Sequence, residues 1–362
     1  MVEARSNAVS DFRKCGTDYA AKNPLLKDHF KKGEAMAAAK TSRKRTATRS
    51  SNNERPLTPD QYLALGTQLT KQVPNPFYGL ITVGNLAAPT VQQGQLLLPY
   101  PEYTGVSITA ATNRDSDYHS MQMKMEKRVR GGGTVLAAYT VSKIISNAET
   151  LTGWLDATGT TQDNNNLRGE RSLLGNDVPQ RLSVSYVQDL PIGKGRAWLG
   201  NVHGVADKLV SGWGVNGVST FQSGYPLGFT TNSNLTNSFG GGSRPNVIGG
   251  CDKSVSGSAQ SRLNQWFNTS CFTAPPAFTF GNESRTDPTI RSHGINNWDF
   301  ALFKNTAVTE RIGLEFRTEL FNLFNRVQFG SPGLTQGNTS FGVVSSQANT
   351  PRLIQFALRL HY

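Results

Sequence analysis

The chain has 362 residues, enough for one large domain or two ordinary ones, and is poor in both apolar (37%) and charged (17%) residues. Gly, Asn, Ser and Thr fill the gap, which argues against a helical enzyme and for short strands joined by polar turns. No run approaches the ~18 apolar residues of a transmembrane helix; a β-barrel escapes that exclusion, because only alternate side chains of its strands meet lipid.

The net charge of +12 is concentrated at the start, where residues 1–55 hold thirteen Lys and Arg against six acids. The cluster from Lys40 to Arg49 would attract phosphates or anionic lipid. No DNA- or RNA-binding module accompanies it, so residues 1–54 are expected to be a disordered or foreign segment, with nucleic acid an unfavoured partner. The N-terminus also lacks the basic-then-apolar run of a secretory signal.

Pro59 to Thr70 has helical spacing of Tyr62, Leu65 and Leu69, and Pro74 to Gly79 breaks it. Residues up to about Asp117 read as a long structured loop with one strand near Val106 to Ala110. From Tyr118 the period becomes two. His119, Met121, Met123 and Met125 share one parity; Ser120, Gln122, Lys124 and Glu126 share the other. Gly131 to Gly133 turns the chain and Thr134 to Lys143 returns, a hairpin. Strands follow around Leu182 to Tyr186 and Trp213 to Phe221. A Gly/Asn/Ser/Pro-rich loop then covers 223–295, far longer than compact domains usually carry, and so expected to be surface-exposed or functional.

The last three strands are the clearest. Trp298, Phe300 and Leu302 alternate with Asn297 and Asp299. Ile312, Leu314, Phe316, Thr318 and Leu320 oppose Glu315, Arg317 and Glu319. Finally Ile354, Phe356, Leu358, Leu360 and Tyr362 oppose Gln355, Arg359 and His361. A soluble sandwich also alternates. Short turns set against very long loops, polar faces of mixed charge, and aromatics near strand ends (Trp213, Phe221, Trp298, Tyr362) tilt the choice to an antiparallel transmembrane barrel. Ile354, Phe356, Leu358, Leu360 and Tyr362 are then expected to face lipid. Glu315, Arg317, Glu319, Gln355, Arg359 and His361 are expected to face the lumen. The terminal strand, stopping at an aromatic, looks like the signal by which barrels are handed to the outer-membrane assembly machinery.

Catalytic signatures are missing. His29, His119, His203, His293 and His361 are scattered, with no paired ligand pattern. Gly212, Gly214 and Gly217 formally match a dinucleotide GxGxxG, yet they sit in a strand pattern with no helix to receive a pyrophosphate. The Glu315/Arg317/Glu319 row reads as a lumenal charge ladder, not an acid/base pair. No enzyme, cofactor or metal is expected. Cys251 and Cys271 share one loop region, and a disulfide and two free thiols are equally open from sequence.

From about Arg55 onward the chain resembles the C-terminal barrel region of TonB-dependent transporters of the Oar-like type. The stretches that carry the resemblance are Tyr118 to Arg128 with Ala138 to Lys143; Gly224-Tyr-Pro226; Trp266 to Ser270; Asn297 to Lys304; Phe316 to Asn325; and the final strand. The resemblance implies a barrel of about twenty-two strands around an N-terminal plug, taking up scarce nutrients with energy relayed from the inner membrane. This sequence shows no leader, plug or TonB-contacting segment and about ten strands. A barrel portion over 55–362, open and inactive in transport by itself, is therefore expected, meeting an unknown ligand through its long loops. Two other classes remain: a structural or adhesion barrel with partner-binding loops, and a soluble β-protein with a basic nucleic-acid arm.

Overall fold

A computed structural model describes residues 57–105, 114–129, 131–148, 161–163, 165–234, 236 and 243–362. The basic cluster, the segment 1–54 and the strand expected near Val106 to Ala110 lie outside the described residues.

Seven long strands dominate: β1 (Ser116–Val129), β2 (Gly133–Ser146), β3 (Gln180–Asp189), β4 (Trp213–Gln222), β5 (Ile295–Ala307), β6 (Gly313–Phe321) and β7 (Leu353–His361). Each pairs antiparallel with its neighbour in sequence, so the sheet is an up-and-down meander. A two-residue strand, Ser172–Leu173, extends it beside the end of β2. Among the described residues there are seven long strands where about ten were expected; the other strands described are two or three residues long and tie loops together. The sheet is open, with β1 and β7 at its two edges.

The connections sort by length. Residues 130–132, 190–212 and 308–312 join strands at one end of the sheet, whereas 147–179, 223–294 and 322–352 join them at the other. In the tightest connection Gly131 and Gly132 take φ of +93° and +94°, a region closed to most side chains, and so reverse the chain in the fewest residues.

Register converts the local alternation into two continuous faces. Met123 pairs with Tyr139, Tyr139 with Leu182 and Leu182 with Phe221. Further along, Phe300 pairs with Leu320, Leu320 with Ile354, and Phe316 with Leu358. Between them Phe221 pairs with Asn296 and Phe300 with Gly217, so one mainly apolar parity runs from β1 to β7, and a one-residue slip anywhere would have put these side chains on the opposite side. At the edges it is bare: Met125 is 60% exposed, and Phe356 and Leu358 are each 68% exposed.

Two of the GxGxxG glycines, Gly214 and Gly217, belong to this sheet, and Gly212 turns the chain just before β4 at φ +80°. A Cβ at Gly214 would strike the Phe303 ring, and one at Gly217 would strike Tyr186 and the Asp299 carbonyl. The aromatic rings lie across the glycines, filling the space a missing side chain leaves in a strand.

The long loops are not loose. The connection 223–294, expected from sequence to be surface-exposed or functional, holds seven of the fifteen buried apolar side chains described. Leu227, Phe229, Trp266, Phe267, Cys271, Phe272 and Ile290 pack with Val344 of the 322–352 connection. Ring centres of Phe229 and Phe272 are 4.6 Å apart, and those of Phe267 and Phe341 5.1 Å, in the tilted and edge-to-face arrangements aromatic quadrupoles favour. Cys251 and Cys271 are joined by a disulfide. The helix expected over Pro59 to Thr70 divides into an α-helix, Pro59–Leu63, and a 3₁₀ turn, Gly66–Thr70. Thr58 and Gln61 form a reciprocal capping box at its start. Tyr62, Leu63 and Leu69 bury their side chains beside Phe278 and Phe280 of the 223–294 connection. No described helix is long and apolar enough to cross a membrane, which says nothing about strands.

Candidate functional site

The second face of the sheet is concave and mixes charged and polar side chains with apolar ones such as Leu136, Val187, Ala301 and Phe321. Its curvature follows from the side chains that meet around one trough of about 540 Å³: Glu126, Thr134, Ser185, Asn216, Asp299 and Glu319, from six successive strands. Only a sheet curling toward this face brings residues so far apart across the meander to a common cavity.

All six residues expected to face the lumen lie on this face. Glu315 is opposite Arg359, and Glu319 opposite Gln355; Arg317 and His361 share the parity. Arg317 bridges the row, reaching Glu315 at 3.4 Å and Glu319 at 3.2 Å, while His361 lies 3.3 Å from the other Glu315 oxygen. Alternate strand residues stand ~6.6–7 Å apart, a gap one guanidinium spans. The ladder is partly exposed, so it keeps the face wet more than it holds the fold together. Ile354, Phe356, Leu358 and Leu360 take the opposite, convex parity; Tyr362 lies just past β7 and is fully exposed.

Aromatic side chains mark both ends of the convex face. Phe221 meets Trp298 edge-on at 5.6 Å near the long loops, and Trp298 meets Phe324 at 5.6 Å. At the short-turn end Lys304 lies 5.3 Å from the ring centre of Trp213, with Tyr362 at the same end. Trp213 and Phe221 are eight residues apart, about 27 Å along a strand and roughly 20 Å of height once tilted, close to the band a barrel shows to hydrocarbon.

Above the long-loop rim the cap is fastened by buried polar groups that sequence reading missed. Arg244 and Glu170 form an ion pair with each side chain only 4% exposed. Gln162 donates from Nε2 to the Gly281 carbonyl (2.9 Å) and accepts the Arg244 N–H at Oε1 (3.1 Å). Arg285 Nη2 donates to the Ser146 carbonyl at the end of β2 (2.6 Å). Arg291 donates to Asp177 Oδ2 (2.7 Å), whose Oδ1 accepts the Ile144 N–H of β2 (2.8 Å). The described parts of the connections 147–179 and 223–294 are thus fastened to each other and to β2. Burial, with Asp287 adding to it, raises the Glu283 carboxyl above the ordinary carboxylate range, and its Oε2 makes no hydrogen bond.

A second fastening explains the Phe-Asn-Leu-Phe-Asn stretch after β6. Asn322 is buried: its N–H donates to Asp299 Oδ1 (2.9 Å), its Nδ2 to the carbonyls of Arg326 (3.0 Å) and Thr350 (3.2 Å), and its Oδ1 accepts the Arg326 N–H (2.9 Å). Asn325 Oδ1 accepts the Arg352 N–H (2.9 Å). Both asparagines adopt left-handed backbone, φ +52° and +50°, which Asn tolerates better than other side chains. The only sequence signal for this role was the type and spacing of the two residues. Among the described residues no group of His, Cys, Asp or Glu could hold a metal ion.

An antiparallel meander with one mainly apolar parity, a concave face carrying a charge ladder, shorter connections at one end and long ones at the other fits a portion of an outer-membrane barrel. Residues 43–355 match the family model described as outer membrane beta barrel domain, and the chain belongs to that family. Its place is accordingly the bacterial outer membrane. No curated protein sequence matches the chain. Among solved structures, the outer membrane transporter YddB from Escherichia coli is similar over 68% of this chain and 25% of its own, at 9% identity and a TM-score of 0.33. A likeness at that level carries no argument, and the chain spans about a quarter of that transporter's length.

Proposed function

We propose that the chain forms the C-terminal part of an energised outer-membrane transporter of the TonB-dependent, Oar-like type. The observation that carries this most directly is the trough on the concave face, where Glu126, Asp299, Arg317 and Glu319 stand among apolar side chains, lying on the side of the sheet a closed barrel would enclose. Glu315, Arg317, Glu319, Gln355, Arg359 and His361 would line the passage. Ile354, Phe356, Leu358, Leu360 and Tyr362 would meet lipid. The cap over the long-loop end would meet the ligand first, from outside the cell. Contact with TonB would come only through a plug, and the terminal strand would be the segment recognised by the barrel-assembly machinery.

Two open edges in hydrocarbon would leave backbone groups unpaired at several kcal/mol each, so β1 and β7 need further strands beside them in the working barrel. The reading frame ahead of Met1 tests this: an in-frame plug and leader are expected. Stop codons throughout that region, with the protein still made and inserted, would contradict transport. The same result would favour the adhesion class, for which the folded, disulfide-linked cap is the supporting observation.

A further inference from the structure

The convex face ends, at the long-loop rim of β6 and β7, in a cluster that transport does not use. Phe324 is 56% exposed and touches Trp298. The Arg326 guanidinium lies 5.9 Å from the centre of the Phe324 ring and has no hydrogen bond or ion pair among the described residues. Arg352, two residues before Ile354 and on its parity, makes one long hydrogen bond from Nη1 to the Leu323 carbonyl (3.4 Å). Both arginines are mounted on the asparagine fastening, Arg326 through Asn322 and Arg352 through Asn325.

Charge sets this rim apart. After Glu319 the chain contains no acid, and of the arginines that follow it Arg326 and Arg352 stand at this rim. The short-turn rim mixes signs: Asp189 pairs with Arg196, and Glu310 stands beside Arg311. One guanidinium lies over an exposed aromatic and a second reaches the carbonyl of the residue before it, at the upper border of an apolar band. That arrangement suits a phosphate carried by a lipid: the planar forks pair with its oxygens, and the ring sits at headgroup depth.

We propose that Arg326, Arg352 and Phe324 form a binding site for the phosphate-bearing headgroup of an outer-leaflet lipid. The site rests on the assignment of the convex face to lipid and of the long-loop end to the cell exterior. It is continuous with that lipid-facing band, and its two guanidiniums complement an anionic headgroup, the nearby Asp299 carboxylate being engaged by the Asn322 N–H.

The test uses the full chain in neutral detergent, titrated with diphosphoryl lipid A, with the same lipid stripped of its phosphates, and with inorganic phosphate, bound lipid being counted by native mass spectrometry. Diphosphoryl lipid A should bind more tightly than the phosphate-free form. The double variant Arg326→Gln/Arg352→Gln should lose about thirtyfold of that affinity, and Arg326→Lys/Arg352→Lys should retain part of it. Arg311→Gln at the opposite rim should change nothing. Equal binding of the two lipids, full binding by the Gln double variant, or complete displacement by inorganic phosphate at matched concentration would overturn the proposal. Partition of the chain into water without detergent would instead overturn the membrane assignment, a separate failure.

Discussion

The sheet and the cap are built on opposite plans. In the sheet, apolar side chains line the convex face and scarcely any is buried; Ala301 is the one fully buried apolar residue of the seven long strands. In the cap, Phe229, Phe267 and Cys271 are 0–1% exposed, and charged groups pair out of water. The cap therefore carries a core of the kind a water-soluble domain has, stabilised by burying its own apolar surface. The sheet has no such core, and its stability depends on what covers the convex face. One chain holds a part that folds around itself and a part that requires its medium.

Breaking the cap from within gives the largest expected effect. Glu170→Ala removes the buried carboxylate paired with the Arg244 guanidinium, and breaking a buried ion pair costs roughly 3–5 kcal/mol. Limited proteolysis should then cut within 223–294 while leaving the strands protected. The disulfide closes a separation of 20 residues, so Cys251→Ser/Cys271→Ser should lower cap stability by about 3 kcal/mol in the chain-entropy model. Thermal melts with and without reductant check this, and the double variant should no longer respond to reductant.

The sheet answers to lipid instead. Leu358→Arg on the convex parity should cost about 2–4 kcal/mol in a bilayer, measured by urea titration of vesicle-inserted protein. Arg317→Ala on the wet face should cost under about 1 kcal/mol, because its ion pairs are partly exposed. The smallest effect sharpens the cap alone. Glu283 has its pKa raised by burial, so its contribution to stability is full below the ordinary glutamate range and is lost as pH rises through the raised folded value. Glu283→Gln should flatten that decline, making the variant the more stable form at neutral and alkaline pH in pH-dependent melts.

Legibility in the sequence followed the same division. The alternation of Phe316, Thr318 and Leu320 against Glu315, Arg317 and Glu319 is local, so β6 was readable to within a residue, as was β7. Their pairing followed from the meander. The glycines of β4 were readable as strand residues because no helix followed them. The cap was not legible: Phe229, Trp266, Phe267, Phe272 and Phe341 have no common period, and they converge only through long-range packing. Gln162, Glu170 and Arg244 look like ordinary loop polars until the connections meet. Asn322 lies within a stretch quoted for its resemblance, yet its tie to Asp299 crosses 23 residues and leaves no local mark.

The central claim is that the two parities of the terminal strand meet different media. It is tested most directly by spin labels placed singly at 354 to 360 in vesicle-inserted protein, with collision rates measured against oxygen and a water-soluble nickel chelate. Labels at Ile354, Phe356, Leu358 and Leu360 should favour oxygen, and those at Gln355 and Arg359 should favour the chelate, a clean period of two. Equal access of the chelate to every position would contradict the account.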